Sequence, residues 1–470
     1  MEEVDTDSAV SKTGIVPINS SLYNHHSRNH VEGVSVEICN IMTLLGYGEE
    51  IRRRRGEKYM ENDMLVGATP SNSTQLTAGS KAEGLTCLAE SDRDLLLVLK
   101  SVLCVEDGVD VHTIPDDIEV YSMDTRVYPG HCRMLLERPG SSRLNFINNA
   151  LCDIGDGNSL LSSGFVLDET SKIKHEGVQL ERSGPSLPMS TGLGYDIDIV
   201  WAVRCQCPGI LQRWAQRSRH WPPPDVVLKV VSLGSVVTPI GHKGSEYSYL
   251  EWRICFNMGE TELVNNLNGT QAKLYVLLKM IVKEVLKPKK KEITSYVLKN
   301  IMFWQAERNP PAIFQEKNLI HWLHDALGTL RTAISSTQMP YYMIPERNLM
   351  AARGLHDEQQ RKWVTYIKDM MEEGPRVILR LPRIRQAIIG HPEPLLWFCK
   401  RRIELEMLQL GWMNRMVQCR DENGKCDDTD VILEIICRRQ DEILSEVYLR
   451  MFMEGSAPND QEDIMYRMLL

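Results

Sequence analysis

A chain of 470 residues with 43% hydrophobic and 25% charged residues has the make-up of a globular protein, with length for about two to four domains or a two-lobed enzyme. Its formal net charge of −9 argues against a whole surface built for nucleic acid, because affinity for phosphate comes mainly from Lys and Arg; only a local basic stripe is compatible with it. No apolar run is long enough to span a bilayer, the acidic start Met1-Glu2-Glu3-Val4-Asp5 is unlike a secretory signal, and twelve scattered cysteines without a disulfide framework fit reduced thiols, so the expected compartment is the cytoplasm with nuclear access.

Residues 1–19 are polar and aperiodic and are expected to form a mobile tail. From Val31, the apolar positions Val34, Ile38, Ile41, Met42 and Leu45 recur at helical spacing. They predict one long helix backing a catalytic sheet, so residues 20–78 are read as that helix and a lead-in loop. The run Arg52-Arg53-Arg54-Arg55 follows the apolar segment and is the candidate nucleic-acid stripe, with Lys289-Lys290-Lys291 as a second. Residues 68–74 carry Pro, Ser and Asn and read as the loop that delivers the chain to Gly79-Ser80.

Gly79-Ser80 is followed twelve residues after the serine by Asp92-Arg93-Asp94, at the head of the apolar run 95–99. A short apolar run between polar residues suits a buried strand, and alternate side chains on a strand face the same way. Asp92 and Asp94 therefore project together and Arg93 points away. Two carboxylates at a strand edge suit Mg²⁺ or Mn²⁺, whose shell substrate phosphates and water complete. The Gly-Ser turn offers backbone amides and a hydroxyl to the same phosphates. In Gly194-Tyr195-Asp196-Ile197-Asp198-Ile199-Val200, acidic and apolar residues alternate before another hydrophobic stretch. Asp198 stands directly before that stretch, as Asp94 does before its own, and is the third metal candidate. Asp196 either orients its neighbour or is a solvated strand end. The set reads as a nucleotidyl-transfer site, in which two metals clamp the attacking and leaving oxygens.

Further strands are predicted at 118–121, 134–137, 195–203 and 226–231, giving a mixed sheet within a catalytic core at 79–255, and residues 167–188 read as a mobile loop. After Lys273 the period becomes helical, with one apolar face on Leu274, Leu277, Leu278, Ile281 and Val282 and another over 319–334, so residues 256–350 form a helical lobe. Residues 351–470 form a helical extension, with amphipathic helices at 397–408 and 431–453, whose role is either partner binding or core extension. The fold class is α+β, a two-lobed nucleotidyltransferase fold. Neither Cys205-Gln206-Cys207 nor the pair Cys419 and Cys426 has the spacing of a zinc site, and no zinc is expected.

Gly79-Ser80-Lys81-Ala82-Glu83-Gly84-Leu85, Asp92-Arg93-Asp94 and Asp196-Ile197-Asp198-Ile199-Val200 resemble the motifs of animal cyclic GMP-AMP synthase-like receptors, in the Mab-type nucleotidyltransferase family. The order continues with Trp252-Arg253-Ile254-Cys255-Phe256 and Glu260, the helix around Lys279, Ser295-Tyr296-Val297-Leu298-Lys299, and Tyr341-Tyr342-Met343-Ile344-Pro345-Glu346-Arg347-Asn348-Leu349. The resemblance implies that Asp92, Asp94 and Asp198 hold two metals, and that Gly79, Ser80, Arg253, Glu260, Lys279, Ser295, Tyr296 and Lys299 bind nucleotides. Within that set it puts Lys279 on phosphate, Tyr296 against a base and Arg253 on the second nucleotide. It further implies ATP and GTP as substrates, and a cyclic dinucleotide such as cyclic GMP-AMP with a 2′-5′ bond, read by a downstream receptor in innate immunity. One departure is Asp92, where the vertebrate enzyme has a glutamate one methylene longer. The interval Asn265-Asn266-Leu267-Asn268-Gly269-Thr270 lacks the ligands of the vertebrate zinc module, which favours double-stranded RNA over DNA as activator. The competing readings are a catalytically silent relative acting as a binding protein, and a template-independent polymerase.

Overall fold

The computed structural model describes residues 21–141, 143–155, 157–173, 178–179, 184–190, 196–288, 292–351, 354–421, 425–427, 429–456, 463–465 and 468. The tail at 1–19 and Lys289 to Lys291 lie outside the described residues, as does Tyr195.

Among the described residues eleven strands form one sheet: β1 Ser73–Ala78, β2 Arg93–Val105, β3 Glu119–Asp124, β4 His131–Arg138, β5 Leu151–Gly155, β6 Asn158–Leu161, β7 Val178–Gln179, β8 Leu187–Ser190, β9 Asp196–Gln206, β10 Ser235–Thr238 and β11 Glu251–Cys255. The two longest, β2 and β9, are the ones the acidic motifs begin. They run parallel with Asp94 opposite Asp198, and their register shifts between Leu99 and Leu103. Before that irregularity β2 pairs with β1, which sets Ala78 opposite Asp94; beyond it β2 pairs with β3. The ladder β2-β3-β4-β11-β10-β9 then returns to β2, so this part of the sheet closes on itself. Closure removes most free edges and leaves the N-terminal ends of β2 and β9 side by side.

Four predicted elements differ from expectation. The helix expected to run unbroken from Val31 is two helices, Arg28–Met42 and Glu49–Gly67, separated at Gly46, whose φ is +81°. A Cβ there would stand 2.9 Å from the Arg55 guanidinium, so the bend needs glycine for both its backbone and its space. Residues 226–231, expected as a strand, lie in the helix Pro224–Leu233. Proline at the first helical position loses no hydrogen bond and starts the helix with its φ already fixed, which outweighs the β-branched valines. Within the expected mobile loop 167–188, the described part holds the end of the helix Ser163–Ser171, capped by Ser162, together with β7 and the start of β8. β1 likewise begins inside the segment read as a loop.

The helical lobe is built on Gly269–Met280, Ser295–Arg308 and Leu319–Ser336. A capping box between Asn268 and Gln271 starts the first of these and closes the short turn that fills the interval 265–270. One continuous cluster of buried side chains includes Leu99, Cys104 and Trp252 from the sheet and Leu274, Leu323 and Tyr342 from the helices. The lobes therefore share a core, and the fold is two-lobed α+β. The predicted C-terminal helices occur as Leu395–Gln418 and Val431–Met453. Leu395–Gln418 packs along Glu49–Gly67, where Asn414 Nδ2 donates to the Lys58 carbonyl at 3.0 Å, and Arg402 donates to the Leu45 carbonyl, in the bend before that helix, at 2.5 Å. Trp363, Ile367 and Cys399 join the main core, whereas Leu405, Leu410, Ile443 and Val447 form a second cluster with Tyr59 and Leu88. Among the described residues no helix is long and apolar enough to cross a membrane.

Candidate active site

β1 ends at Ala78, and Gly79 turns the chain into the single helical turn Gly79–Ala82 with φ of +63°. A Cβ on Gly79 would lie 2.5 Å from Asp94 Oδ2, so the backbone of the Gly-Ser turn rests directly on the carboxylate of the opposing strand. Only glycine permits that approach. Arg93 points away as expected: it is buried, pairs with Asp63 at 3.1 Å and donates to Asn62 at 2.9 Å and to the Thr77 hydroxyl. The alternation that buries Arg93 leaves Asp94 open to solvent between buried neighbours.

The Asp94 carboxyl is pushed up to about 6, first by the protein mass around its strand end and then by the like charge of Asp198, with Asp92 adding to it and Lys299 opposing. Solvent contact tempers the desolvation part, so the anionic crowding is the firmer cause. Asp198 Oδ1 accepts a hydrogen bond from Ser186 Oγ at 2.7 Å, which fixes the rotation of that carboxylate. Ser186 carried no motif signal in the sequence. Among the described residues no three His, Cys, Asp or Glu side chains form a ready-made metal cage. The donor set still fits Mg²⁺ or Mn²⁺, which are commonly held by one or two carboxylates and completed by substrate phosphate oxygens. Crowded carboxylates with a raised pKa are what a divalent cation would relieve.

The sign of the pH dependence follows. Raised to about 6, the Asp94 carboxyl of the metal-free native state holds its proton more tightly than it does in the unfolded chain. Stability contributed by this group is therefore present at low pH and lost as pH rises through that window. In the presence of EDTA, Asp94→Asn is expected to unfold at higher temperature than the parent above pH 6 and at the same temperature near pH 4. A parent that melts no lower than the variant at pH 7.5 would contradict the crowding.

Beside the carboxylates lie two groups of polar contacts. Lys279, in the last turn of Gly269–Met280, donates to Ser80 Oγ at 2.7 Å. Burial lowers its ammonium to about 8, Glu83 opposes, and the charges of Lys299 and Lys283 lower it further. Lys299 is buried and forms ion pairs with Glu83 and, at 3.4 Å, with Glu260. Burial works against its charge, but the two carboxylates more than offset this and hold it well above the usual lysine range. Glu260 Oε1 accepts from both the Tyr296 and the Tyr341 hydroxyls at 2.7 Å. Ser80 and Lys279 form one pair, and Glu83, Lys299, Glu260, Tyr296 and Tyr341 form a second group whose charges act on Lys279; Glu83 and Tyr341 lie within the sequence motifs without an assigned role. Glu83 lies three residues beyond Ser80, one helical turn, and that spacing was a usable signal.

Ser295 is exposed at the start of its helix and enters through its carbonyl, which accepts from Tyr275 at 3.3 Å. Arg253 lies half-buried on β11 opposite His131. Burial, then Arg347 and Arg253, depress His131 to about 3, so this corner presents arginine charge beside a neutral imidazole.

The arginine run divides. Arg53 and Arg54 are exposed, the first paired with Glu57 at 2.5 Å and the second with Glu50 at 2.7 Å. Arg52 and Arg55, expected on the nucleic-acid surface, are instead buried at 5% and 0% exposure. Arg52 donates to the Val264 carbonyl at 3.2 Å, and Arg55 holds Glu406 with two hydrogen bonds of 2.9 and 2.7 Å. Four arginines on consecutive positions of a helix span more than one turn, so they cannot all face solvent.

Comparison with known families agrees with this architecture. Residues 147–266 match the Mab-21 protein nucleotidyltransferase domain, and residues 270–369 match the Mab-21 protein HhH/H2TH-like domain. Two adjacent segments of the chain are thus similar, in that order, to the nucleotidyltransferase and helical domains of the Mab-21 family. Asp198, Arg253 and Glu260 fall inside the first match, and Lys279, Tyr296 and Lys299 inside the second.

Proposed function

We propose that this chain is a metal-dependent nucleotidyltransferase that joins two nucleoside triphosphates and cyclises the product to a cyclic dinucleotide, as cyclic GMP-AMP synthase-like receptors do. The observation that carries the reading is the placement of Asp94 opposite Asp198 on parallel strands, with the Gly79-Ser80 turn against Asp94. Asp92, Asp94 and Asp198 would hold Mg²⁺ or Mn²⁺, which supplies charge neutralisation for attacking and leaving oxygens. Ser80 and Lys279 together offer a hydroxyl and an ammonium to the triphosphate, and their mutual hydrogen bond keeps them pointed at one place. Asp198, oriented by Ser186, accepts the proton of the attacking ribose hydroxyl. Tyr296, its hydroxyl tied to Glu260, presents a fixed ring for a base, and Arg253 supplies a planar fork for the other nucleotide. Retention of all three aspartates favours an active enzyme over a silent relative.

The test is product analysis after incubation with ATP, GTP and Mn²⁺. A cyclic dinucleotide that disappears in folded Asp92→Asn/Asp94→Asn protein supports the reading; a ladder of linear products would assign the chain to a template-independent polymerase. With Arg52 and Arg55 buried, a double-stranded RNA activator meets two arginines of the run and not four. Charge reversal at Arg53 and Arg54 is expected to flatten the slope of log affinity against log salt by at most about two, since each phosphate contact contributes about 0.7 to 0.9. An unchanged slope removes the run from any RNA surface.

A further inference from the structure

The connection between the helices Leu395–Gln418 and Val431–Met453 carries two cysteines seven positions apart, Cys419 and Cys426. Their Sγ atoms stand 3.0 Å from each other, and Met416 Sδ lies 3.4 Å from that of Cys426. Backbone pairing holds the two arms in register. Arg420 and Cys426 form an antiparallel bridge, the Asp421 N–H donates to the Lys425 carbonyl at 2.9 Å, and the Asp427 N–H donates to the Cys419 carbonyl at 3.1 Å. The ends are tied as well. Arg415, one helical turn before Cys419, donates from Nε at 3.0 Å to Asp430, the residue whose side chain caps the second helix. The fold therefore brings the thiols together and keeps them there. Both cysteines keep contact with solvent. Cys104, Cys205 and Cys207 also lie within hydrogen-bonding reach along one chain of thiols, but they are buried at 0%, 3% and 1% exposure, out of reach of a dissolved oxidant.

We propose that Cys419 and Cys426 form a reversible thiol–disulfide site, oxidised by a low-molecular-weight disulfide of the glutathione class. Two sulfurs sharing a tetrahedral zinc ion, each about 2.3 Å from it, would stand about 3.8 Å apart, so the closer contact suits a bond between them over a shared metal. One cysteine, as thiolate, attacks a sulfur of the small disulfide. A bond forms between protein and small molecule, the small disulfide's own bond breaks, and one small thiolate leaves. The other cysteine then attacks the protein sulfur of that mixed disulfide and expels the second small thiolate. The cysteine pair loses two electrons and two protons; the small disulfide takes both and becomes two thiols. In a reducing compartment such a bond is transient, as disulfides there usually are. Its effect is local. Leu405 and Leu410 of the first helix share a buried cluster with Ile443, Leu444 and Val447 of the second. A cross-link across their connection removes conformations from the undocked state, so the second helix opens less often. This inference stands apart from the proposed reaction.

The experiment equilibrates the full chain in mixtures of reduced and oxidised glutathione, stops exchange with acid, alkylates the remaining thiols and maps every cysteine by mass spectrometry. As the oxidised share rises, Cys419 and Cys426 are expected to lose alkylation together and to appear in one cross-linked peptide. They should do so in a mixture where the exposed Cys437 is still alkylated, because each thiol of the pair meets the other at an effective concentration above that of dissolved glutathione. In Cys426→Ser, Cys419 should oxidise no earlier than Cys437 and carry glutathione when it does. Hydrogen exchange over Val431–Met453 should slow at least about threefold in the cross-linked parent. Alkylation of both cysteines in every mixture that modifies Cys437, a separate glutathione on each, a cross-link to another cysteine or between chains, or a stoichiometric metal ion released when the two thiols are modified would each overturn the assignment. All of these are read on the parent and do not depend on how the variant folds. A cross-linked chain with unchanged exchange would overturn the effect on the second helix alone.

Discussion

Asp94→Asn is expected to lower nucleotidyl transfer by at least roughly 100-fold to 1,000-fold, the range found when one preorganised electrostatic group is removed from a transition state. The side chain stands where three parts of the proposed machinery meet: opposite Asp198 on β9, against the backbone of Gly79, and within the field of Asp92 and Lys299. Asparagine keeps the size and one carbonyl oxygen but loses the charge. The loss should therefore fall on metal retention and on the chemical step, with no loss of fold. Three measurements separate these. Pyrophosphate release in Mn²⁺ should fall by the stated factor, the Mn²⁺ affinity of the nucleotide-bound protein should fall with it, and the metal-free melting temperature near neutral pH should rise. Full turnover in a folded Asp94→Asn protein would remove β2 from the catalytic site. The same substitution at Asp198 should act alike, whereas Ser186→Ala, which frees a carboxylate without removing it, should cost far less and move the pH profile.

Much of this site was legible because strand alternation is a local rule. The two carboxylate strands, the outward Asp94 and the inward Arg93 all follow from side-chain period, and the contacts of Arg93 with Asn62, Asp63 and Thr77 bear that out. What failed was local signal overridden by neighbours. The valines at 226, 227, 230 and 231 favour a strand, yet the prolines before them start a helix. Gly46 lies inside a helical period and gives no sign, in sequence, that Arg55 fills the space its Cβ would need. The arginine run is the clearest case. Its charge was read as surface, but half of it is burial bought by distant partners: Val264 for Arg52 and Glu406 for Arg55, 212 and 351 positions away. No period in the helix itself names those partners. Ser186 escaped assignment for the same reason, since it acts on Asp198, a residue brought close only by the fold.

Glu406→Ala is expected to destabilise the protein by about 3–5 kcal/mol, the cost of leaving a buried charge without its partner. Both side chains of the Arg55 and Glu406 pair are essentially inaccessible, at 0% and 1%, and the bond is bidentate. Arg55 also donates to the Gly46 carbonyl at 2.6 Å and to the Gly84 carbonyl at 3.3 Å. It thereby ties the bend between the first two helices, the end of the Ser80 segment and the C-terminal helix into one knot. Burial opposes its charge, while Cys87 and Glu406 favour it and hold the guanidinium above its ordinary range. Arg402, also buried and within the influence of Glu406, would lose the same counter-charge. Removing Arg55 and Glu406 together as Arg55→Met/Glu406→Leu should cost much less than Glu406→Ala, because no unpaired ion remains, although the carbonyls of Gly46 and Gly84 lose their donor. The exposed pair of Arg54 and Glu50 provides the contrast, and its removal should change stability by about 1 kcal/mol or less. Urea unfolding of the four proteins measures all of these. A Glu406→Ala protein as stable as the parent would mean that the C-terminal helices dock without this pair, and that residues 351–470 are not part of the core on which the Ser80 turn rests.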